Sequence, residues 1–296
     1  MLHEQILILI STPIYLVIIG LEILLSHWHL KRFYTVKDTL TNVYLSLLNG
    51  GIDLLFRAVY VVILSFFYNY HFFDPSFNPI FYWVALFFLE DLAFYLEHRV
   101  DHYCRFFWAV HVTHHSSTHF NLTTGFRSSV LQPLYRFIYF IPLVFLGFAP
   151  IDIVFMYSLT QIYGILVHTQ YIKKMPSWFE AVFVTPSHHR VHHANNIRYL
   201  DKNMGMVLII WDRLFGTFQK EESNEPVKYG LTYELSKPND VSDIVFHEWK
   251  KLVDDLKRPL PFSVKLKYLF KAPGWSHDGS SKTAKQLQRE LQSKKI

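Results

Sequence analysis

Long apolar runs dominate the first half of the chain, and short polar stretches separate them. Crossing a bilayer takes about 20 mostly apolar residues, and residues 6–25 meet this requirement without a basic start or a small-residue cleavage site, so we predict a retained helix. Four further runs cover residues 43–67, 79–96, 130–148 and 151–167. The pattern predicts four or five membrane helices.

Two of these runs carry breaks that change the prediction. Asn49-Gly50-Gly51 interrupts residues 43–67, which predicts a kinked or half-embedded span. Only Ala149-Pro150 separates the last two runs, and so tight a joint predicts a helical hairpin that need not cross the bilayer fully.

The second half of the chain is more polar. Residues 241–256 have the spacing of an amphipathic helix, whereas residues 274–296 are polar throughout and predict a disordered tail. No region has the alternation of strands, so the expected fold is all-α, a multi-pass membrane protein. We predict three parts: N-terminal membrane helices at 1–78, a catalytic domain at 79–218, and a cytoplasmic C-terminal segment with its tail at 219–296.

Composition supports a membrane protein with a sizeable polar part. Hydrophobic residues make up 51% and charged residues only 18%, below the roughly 25% of soluble domains. The net charge of +5 suits an anionic bilayer surface better than a nucleic acid, and we expect no nucleic-acid partner. A single cysteine, Cys104, excludes an intrachain disulfide, fits a reducing compartment and predicts a small buried residue.

Basic residues near the helix ends predict the orientation. Lys31, Arg32 and Lys37 follow the first apolar run, whereas residues 68–78 contain neither lysine nor arginine. Because positive charge collects on the cytoplasmic side, the first loop and the histidine-rich segments described next are expected to form a cap at the cytoplasmic face.

Three short histidine clusters carry the candidate chemistry. They have the patterns HxxxH, HxxHH and HxxHH, and comprise His98, His102; His111, His114, His115; and His189, His192, His193. Histidine is 17 of 296 residues, so only about 0.05 HxxHH triples are expected by chance. Residues three and four apart share a helix face, which points the imidazoles of each cluster into one volume.

Neutral imidazoles without cysteine suit iron, copper or zinc. We predict that these eight histidines and His168, at the end of an apolar helix, ligate metal. So many ligands imply two ions, and a closed zinc site would normally recruit cysteine. Outside this shell we place His188, Asp101, Asp201 and Asn203, while Glu90, Asp91 and Glu97 are either imidazole-orienting carboxylates or ordinary solvated ones. Trp211 and Asp212 either brace the last cluster or form ordinary turns and caps.

Two other classes of protein fit the arrangement of the histidines less well. A metal transporter would distribute its histidines along a path through several helices, whereas here they cluster at one face. The complete set of candidate histidine ligands argues against a non-catalytic scaffold with this fold.

The motifs on a helical membrane scaffold resemble the fatty acid hydroxylase/sterol desaturase superfamily. The resemblance runs from about residue 79 to 218 and includes the segments 185–193, 201–203 and 208–217. Further segments at 114–117, 229–232 and 272–275 are similar to the branch that cleaves glyceryl ethers.

That resemblance implies two iron ions, O2 as oxidant, a membrane lipid as substrate, and tetrahydrobiopterin or an electron-donor protein as reductant. Hydroxylation of the carbon next to an ether oxygen is the implied reaction, and hydroxylation or desaturation of a fatty acyl, sterol or carotenoid chain is the alternative. One position departs from the branch: an acidic residue directly after the second histidine of HxxxH is replaced here by Tyr103. This leaves the metal site in place and puts the pterin and the ether in question.

Overall fold

The computed structural model describes residues 2–75 and 78–293, and it is all-helical over these residues, as predicted. The only extended pairings there are two isolated bridges, between Phe183 and Leu208 and between Ala194 and Tyr229. The helices are α1 (Leu2–Trp28), α2 (Val36–Tyr68), α3 (Pro79–Tyr103), α4 (Arg105–His115), α5 (Ile141–Phe145), α6 (Pro150–Leu166), α7 (Ser177–Val182), α8 (Pro186–His192), α9 (Ile210–Phe215), α10 (Val241–Lys257), α11 (Phe262–Phe270) and α12 (Ala284–Ser293).

Three helices are long and apolar enough to cross a membrane: Leu9–Trp28 within α1, the whole of α2 and the whole of α3. The second run is not interrupted, because α2 continues through Gly50 and Gly51 for 33 residues, while the kinked or half-embedded span stays a prediction. A bilayer offers backbone groups no other partners, which favours an unbroken helix despite the glycines. Asn49, whose amide donates to the Ser129 carbonyl at 2.8 Å, fastens this part of α2 to the polar cap.

The predicted helical hairpin is wrong in its first arm. Residues 130–148 form short 3-10 turns and the five-residue α5 instead of one helix. Pro133 and Pro142 lie inside this run, and a proline in a helix interior removes a hydrogen bond and clashes with the preceding turn. The second arm is α6, which at 17 residues is shorter than a regular span. The count of four or five membrane helices therefore stays a prediction.

The main apolar core lies between α2, α3, α5 and α6. It contains Tyr60, Leu64, Leu86, Phe140 and Ile153, all buried. This core sets the spacing of α3 and α6, and both helices end beside the histidines.

The C-terminal segment folds back onto the histidine-bearing helices. α10 and α11 pack against α4, and Cys104, buried as predicted, faces the Leu269 carbonyl at 3.6 Å. The predicted disorder of the tail is wrong as far as residue 293, because α12 packs beside residues 197–199. Gln288 donates to the carbonyls of Ile197 and Leu200 at 3.1 and 2.8 Å. Amino-acid composition cannot predict individual hydrogen bonds such as these, which order the tail.

Candidate metal centre

The predicted histidines lie on or directly after four helices, α3, α4, α6 and α8. α3 ends with His98 and His102, and Cys104 in extended conformation turns the chain directly into α4. His168 follows α6, and α8 begins at Pro186, whose fixed φ suits a first helical turn. All nine histidines are buried except His114, which is half-buried.

The nine histidines form two groups, in each of which one nitrogen per residue lies within 4.8 Å of the others. We call them the first and the second histidine group. The first group is His98, His102, His111, His115 and His192, and the second is His114, His168, His189 and His193.

Helical geometry explains how the HxxHH motifs divide. In both motifs the residues at i and i+4 enter one group and the residue at i+3 enters the other. At 3.6 residues per turn, i+4 is rotated about 40° to one side of i and i+3 about 60° to the other. α4 thus gives two histidines to the first group and one to the second, while α8 and His193 do the reverse. Each motif serves both groups.

Backbone carbonyls fix the rings from outside. The Nδ1 atoms of His98, His114 and His168 lie 2.8, 2.9 and 2.8 Å from the carbonyl oxygens of Met204, Arg127 and Gly164. Carbonyls only accept hydrogen bonds, so each Nδ1 carries the proton and each Nε2 presents a lone pair.

These Nε2 atoms face one another. His98 Nε2 lies 3.1 Å from His111 Nε2, and His168 Nε2 lies 2.9 Å from His189 Nε2. In the first group, the buried Nε2 atoms of His102 and His192 have no hydrogen-bond partner among the described residues. Converging lone pairs and orphaned imidazole nitrogens fit a cation in each group, and imidazole suits first-row metals.

The imidazoles outside the long helices are held neutral. Burial, followed by the neighbouring imidazoles, lowers the pKa values of His111, His115, His189, His192 and His193 well below the usual range. Burial lowers the pKa of His114 to about 4. Neutral imidazole is the form that binds metal.

The residues predicted to surround the histidines occupy different places. Asp201 Oδ1 lies 3.2 Å from His102 Nδ1, while Asp101 Oδ2 is 3.7 Å from His111 Nδ1. The Asn203 amide joins the carbonyls of His188 and Gln219 at 3.0 and 2.8 Å. The ring of His188 lies outside both groups and accepts from the Thr185 N–H at the start of α8.

Three carboxylates considered as imidazole partners have other surroundings. Asp91 accepts hydrogen bonds from the backbone N–H groups of Val207 and Leu208 at 2.9 and 3.1 Å and from the Trp211 indole at 2.9 Å. Glu90 and Glu97 are buried in α3 and have no hydrogen bond to an imidazole among the described residues. Spacing on a helix alone did not reveal which side of α3 faces the histidines.

A buried acid braces the loop that holds His98. Asp212 accepts from the N–H groups of Met204 and Gly205 at 2.7 and 2.8 Å and from the Thr217 hydroxyl at 2.6 Å. The Met204 carbonyl is the partner of His98 Nδ1. Asp212 therefore positions His98, in the first motif, through one peptide unit, whereas the sequence suggested that it braces the last cluster.

Two buried arginines beside the histidines are functional candidates that the sequence analysis did not single out. Arg127 contacts Asp38 in α2, and its own carbonyl faces His114. Arg190, in the middle of the last motif, pairs with Glu221 at 2.7 Å and donates to the carbonyl of Thr169. The only hint of this role in the sequence is the position of Arg190 between the pairs His188-His189 and His192-His193.

Loss of the Asp201 carboxylate is expected to weaken metal binding. Asp201 has φ of 54°, a left-handed conformation that asparagine also tolerates, so Asp201→Asn removes the charge without straining the backbone. Because outer partners of ligating histidines affect affinity about 10- to 100-fold, we expect metal affinity to fall by about tenfold. Metal titration of this variant and of the exposed control Asp254→Asn measures the difference in affinity. Equal affinities would show that Asp201 does not support His102 as a ligand.

These features define a class: an integral membrane protein whose cap gathers nine histidines into a two-part candidate metal centre. Residues 83–217 match the family model for fatty acid hydroxylase, so the chain contains a fatty acid hydroxylase domain, as its motifs predicted.

Similar proteins extend the match beyond this domain. The chain is 34% identical to human (Homo sapiens) alkylglycerol monooxygenase over 269 residues, 90% of this chain and 59% of that protein. It is 32% identical to the Danio rerio alkylglycerol monooxygenase over 276 residues, with the same two shares, 90% and 59%. An ornithine lipid hydroxylase of Rhizobium tropici is 27% identical over 172 residues, 57% of this chain and 51% of that protein. The chain thus spans 59% of the length of the first two relatives. No solved structure matches it significantly.

Proposed function

We propose that this chain is a di-iron lipid monooxygenase that cleaves the ether bond of alkylglycerols. The observation that carries the proposal is the pair of adjoining histidine groups, built only from imidazoles and sharing two helical motifs. An all-histidine set of this size suits two ions with open positions better than one closed structural site.

The reaction balances with a two-electron donor. Lipid, O2, two electrons and two protons give hydroxylated lipid and water. When the hydroxyl group is on the carbon beside the ether oxygen, the product is a hemiacetal. The hemiacetal C–O bond then breaks to release an aldehyde and glycerol.

Bound iron would supply the redox chemistry that this reaction needs. The contribution of the chain is positional: Met204, Arg127 and Gly164 hold three imidazoles through their carbonyls. Burial removes water around the histidines, and their lowered pKa values keep the ligating form available at neutral pH. Asp201 supports His102 in the same way as the carbonyls support the other rings.

The ether substrate rests on the two alkylglycerol monooxygenases, whose similarity covers 90% of this chain. Hydroxylation of another lipid chain is the second candidate, favoured by the ornithine lipid hydroxylase and by Tyr103. Tyr103 is 38% exposed at the end of α3, with the Arg99 guanidinium 5.7 Å from its ring. The reductant is proposed to be tetrahydrobiopterin or, for the second candidate, an electron-donor protein.

The membrane arrangement belongs to the same proposal. The basic first loop and the histidine cap would face the cytoplasm, so that the reductant reaches the cap from water. Residues 1–78 would anchor the catalytic domain at 79–218, and residues 219–296 would complete the cap.

Aldehyde release tests the ether proposal. Iron-loaded membranes containing the chain are given a labelled long-chain alkylglycerol, O2 and reduced pterin. We expect labelled aldehyde with the unaltered chain and none with His192→Ala. Iron-replete protein that releases no aldehyde but hydroxylates a fatty acyl lipid would replace the first candidate by the second.

A further inference from the structure

Two cavities adjoin the histidines, and each of the nine lines one of them. The cavity on the C-terminal side, here the cap-side cavity, is lined by His102, His115, His192 and His193. The other, here the membrane-side cavity, is lined by His98, His111, His114, His168 and His189. The two histidine groups therefore form a partition between two spaces.

The membrane-side cavity is small, and its wall combines polar and apolar side chains. It has a volume of about 100 Å³, well below the 300–1,000 Å³ of usual ligand pockets. Gln132, Arg136 and Gln161 contribute polar side chains to its wall. Its size suits molecules such as water and O2 and excludes a lipid head group with its first methylenes.

The cap-side cavity is about three times larger, at about 300 Å³. Its wall combines the apolar side chains of Trp108, Leu231 and Leu287 with the polar ones of Thr232 and Tyr233. Such a mixture suits the polar end of an amphiphile and the first part of its chain.

Charge on this wall favours an uncharged head group. Asp201 contributes a carboxylate, which accepts hydrogen bonds from hydroxyl groups and repels phosphates, whereas Glu248 is already paired with Arg105 at 2.9 Å. The wall also contains Lys282, and its ammonium lies 2.7 Å from Glu290. A hydroxyl-bearing polar end therefore fits the wall better than a phosphorylated one.

Part of this wall comes from the end of the chain. The segment from Pro273 to Leu287, here the C-terminal strap, supplies Gly274, Ser281 and Ala284 as well as its two end residues. Gln288, immediately after it, fastens α12 to the carbonyls of Ile197 and Leu200. The strap therefore contributes to the same cavity wall as the four histidines.

We propose that the cap-side cavity holds the hydroxyl-bearing polar end of the lipid and its adjoining C–H segment, and that Leu287 determines which head groups fit. The proposal rests on the proposed monooxygenase function and assigns its substrate side. O2 and water would use the membrane-side cavity, so the lipid and the small molecules approach the histidines from opposite faces.

Photolabelling tests this assignment without relying on turnover. The probe is a 1-O-alkylglycerol with a diazirine on the first carbons of its chain, bound to the metal-loaded full chain in detergent and mapped by mass spectrometry. We expect labels in residues 230–233 and 273–287 that unlabelled alkylglycerol displaces. Leu287→Trp should reduce labelling about tenfold, because the larger indole ring would occupy space that the lipid's polar end needs. Leu291→Trp, one turn further along α12 and outside the wall, is the matched control.

The outcomes separate the cavity assignment from the ether proposal. Label in Phe94, Ile165 or Met206 on the membrane-side wall would overturn the assignment. The assignment would also be overturned if Leu287→Trp left lipid labelling unchanged and weakened the binding of reduced pterin. The cavity would then bind the reductant and not the lipid. A diazirine monoacylglycerol, which keeps the hydroxyl-bearing end and lacks the ether, would support the cavity and refute the ether if it labels the cap-side wall when the alkylglycerol does not. If Leu287→Trp accumulates poorly, Leu287→Ala serves instead and should admit a bulkier head group.

Discussion

His192→Ala is expected to abolish lipid oxidation and to remove metal from the first histidine group. His192 is 2% exposed, is the only member of the last motif in that group, and its Nε2 has no other partner among the described residues. Its ring centroid lies 4.5 Å from that of His98 and 4.7 Å from that of His115. Since outer-shell changes already cost 10- to 100-fold in affinity, loss of this imidazole should weaken metal binding by about 100-fold or more.

His188→Ala is the matched control, because His188 lies in the same helix and outside both groups. Metal per polypeptide, measured by elemental analysis after purification, should fall in His192→Ala and stay near the unaltered value in the control. Equal metal contents in the two variants would show that His192 is not a ligand.

Arg127→Leu is expected to destabilise the fold by about 3–5 kcal/mol, the usual effect of removing one partner of a buried ion pair. The Arg127 side chain is 1% exposed and donates to the Thr113 carbonyl, the Ser116 hydroxyl and the Asn42 amide oxygen at 3.1, 2.9 and 2.8 Å. Its guanidinium also lies 3.4 Å from Asp38. Leucine would remove the donor to the Asn42 amide oxygen and the cation beside the buried Asp38 carboxylate, and α2 would lose its hold on the end of α4.

Arg198→Leu provides the comparison, because Arg198 forms a half-exposed pair with Glu225 at 3.6 Å. Such a pair contributes about 0–1 kcal/mol. Unfolding in detergent, followed by circular dichroism, should show a large loss only for Arg127→Leu. Similar losses in both variants would mean that Arg127 does not anchor the cap.

The sequence identified the histidines well, because their spacing is a short-range property. An i, i+3, i+4 pattern on a helix brings imidazoles together whatever the rest of the fold does. The same argument could not divide them, since the division of His111 from His114 depends on how α4 faces α3 and α8. That relation is set by packing between distant parts of the chain.

Membrane segments were predicted less evenly. Hydropathy found α1, α2 and α3, but it treated Gly50 as a break, and it treated the proline-containing residues 130–148 as one helix. Apolar composition predicts that a segment lies in the membrane or the core, but it does not predict whether the backbone there forms one continuous helix. The order of α12 depends on Gln288 and carbonyls almost 90 residues away, which composition cannot register.

The division of each HxxHH motif also bears on how the proposed iron pair would assemble. Because α4 supplies both groups, an ion that orients α4 for one group also sets the rotation of its remaining histidine toward the other. Occupation of the two positions would therefore be coupled through α4, and a substitution that tilts α4 at one position would disturb the other as well.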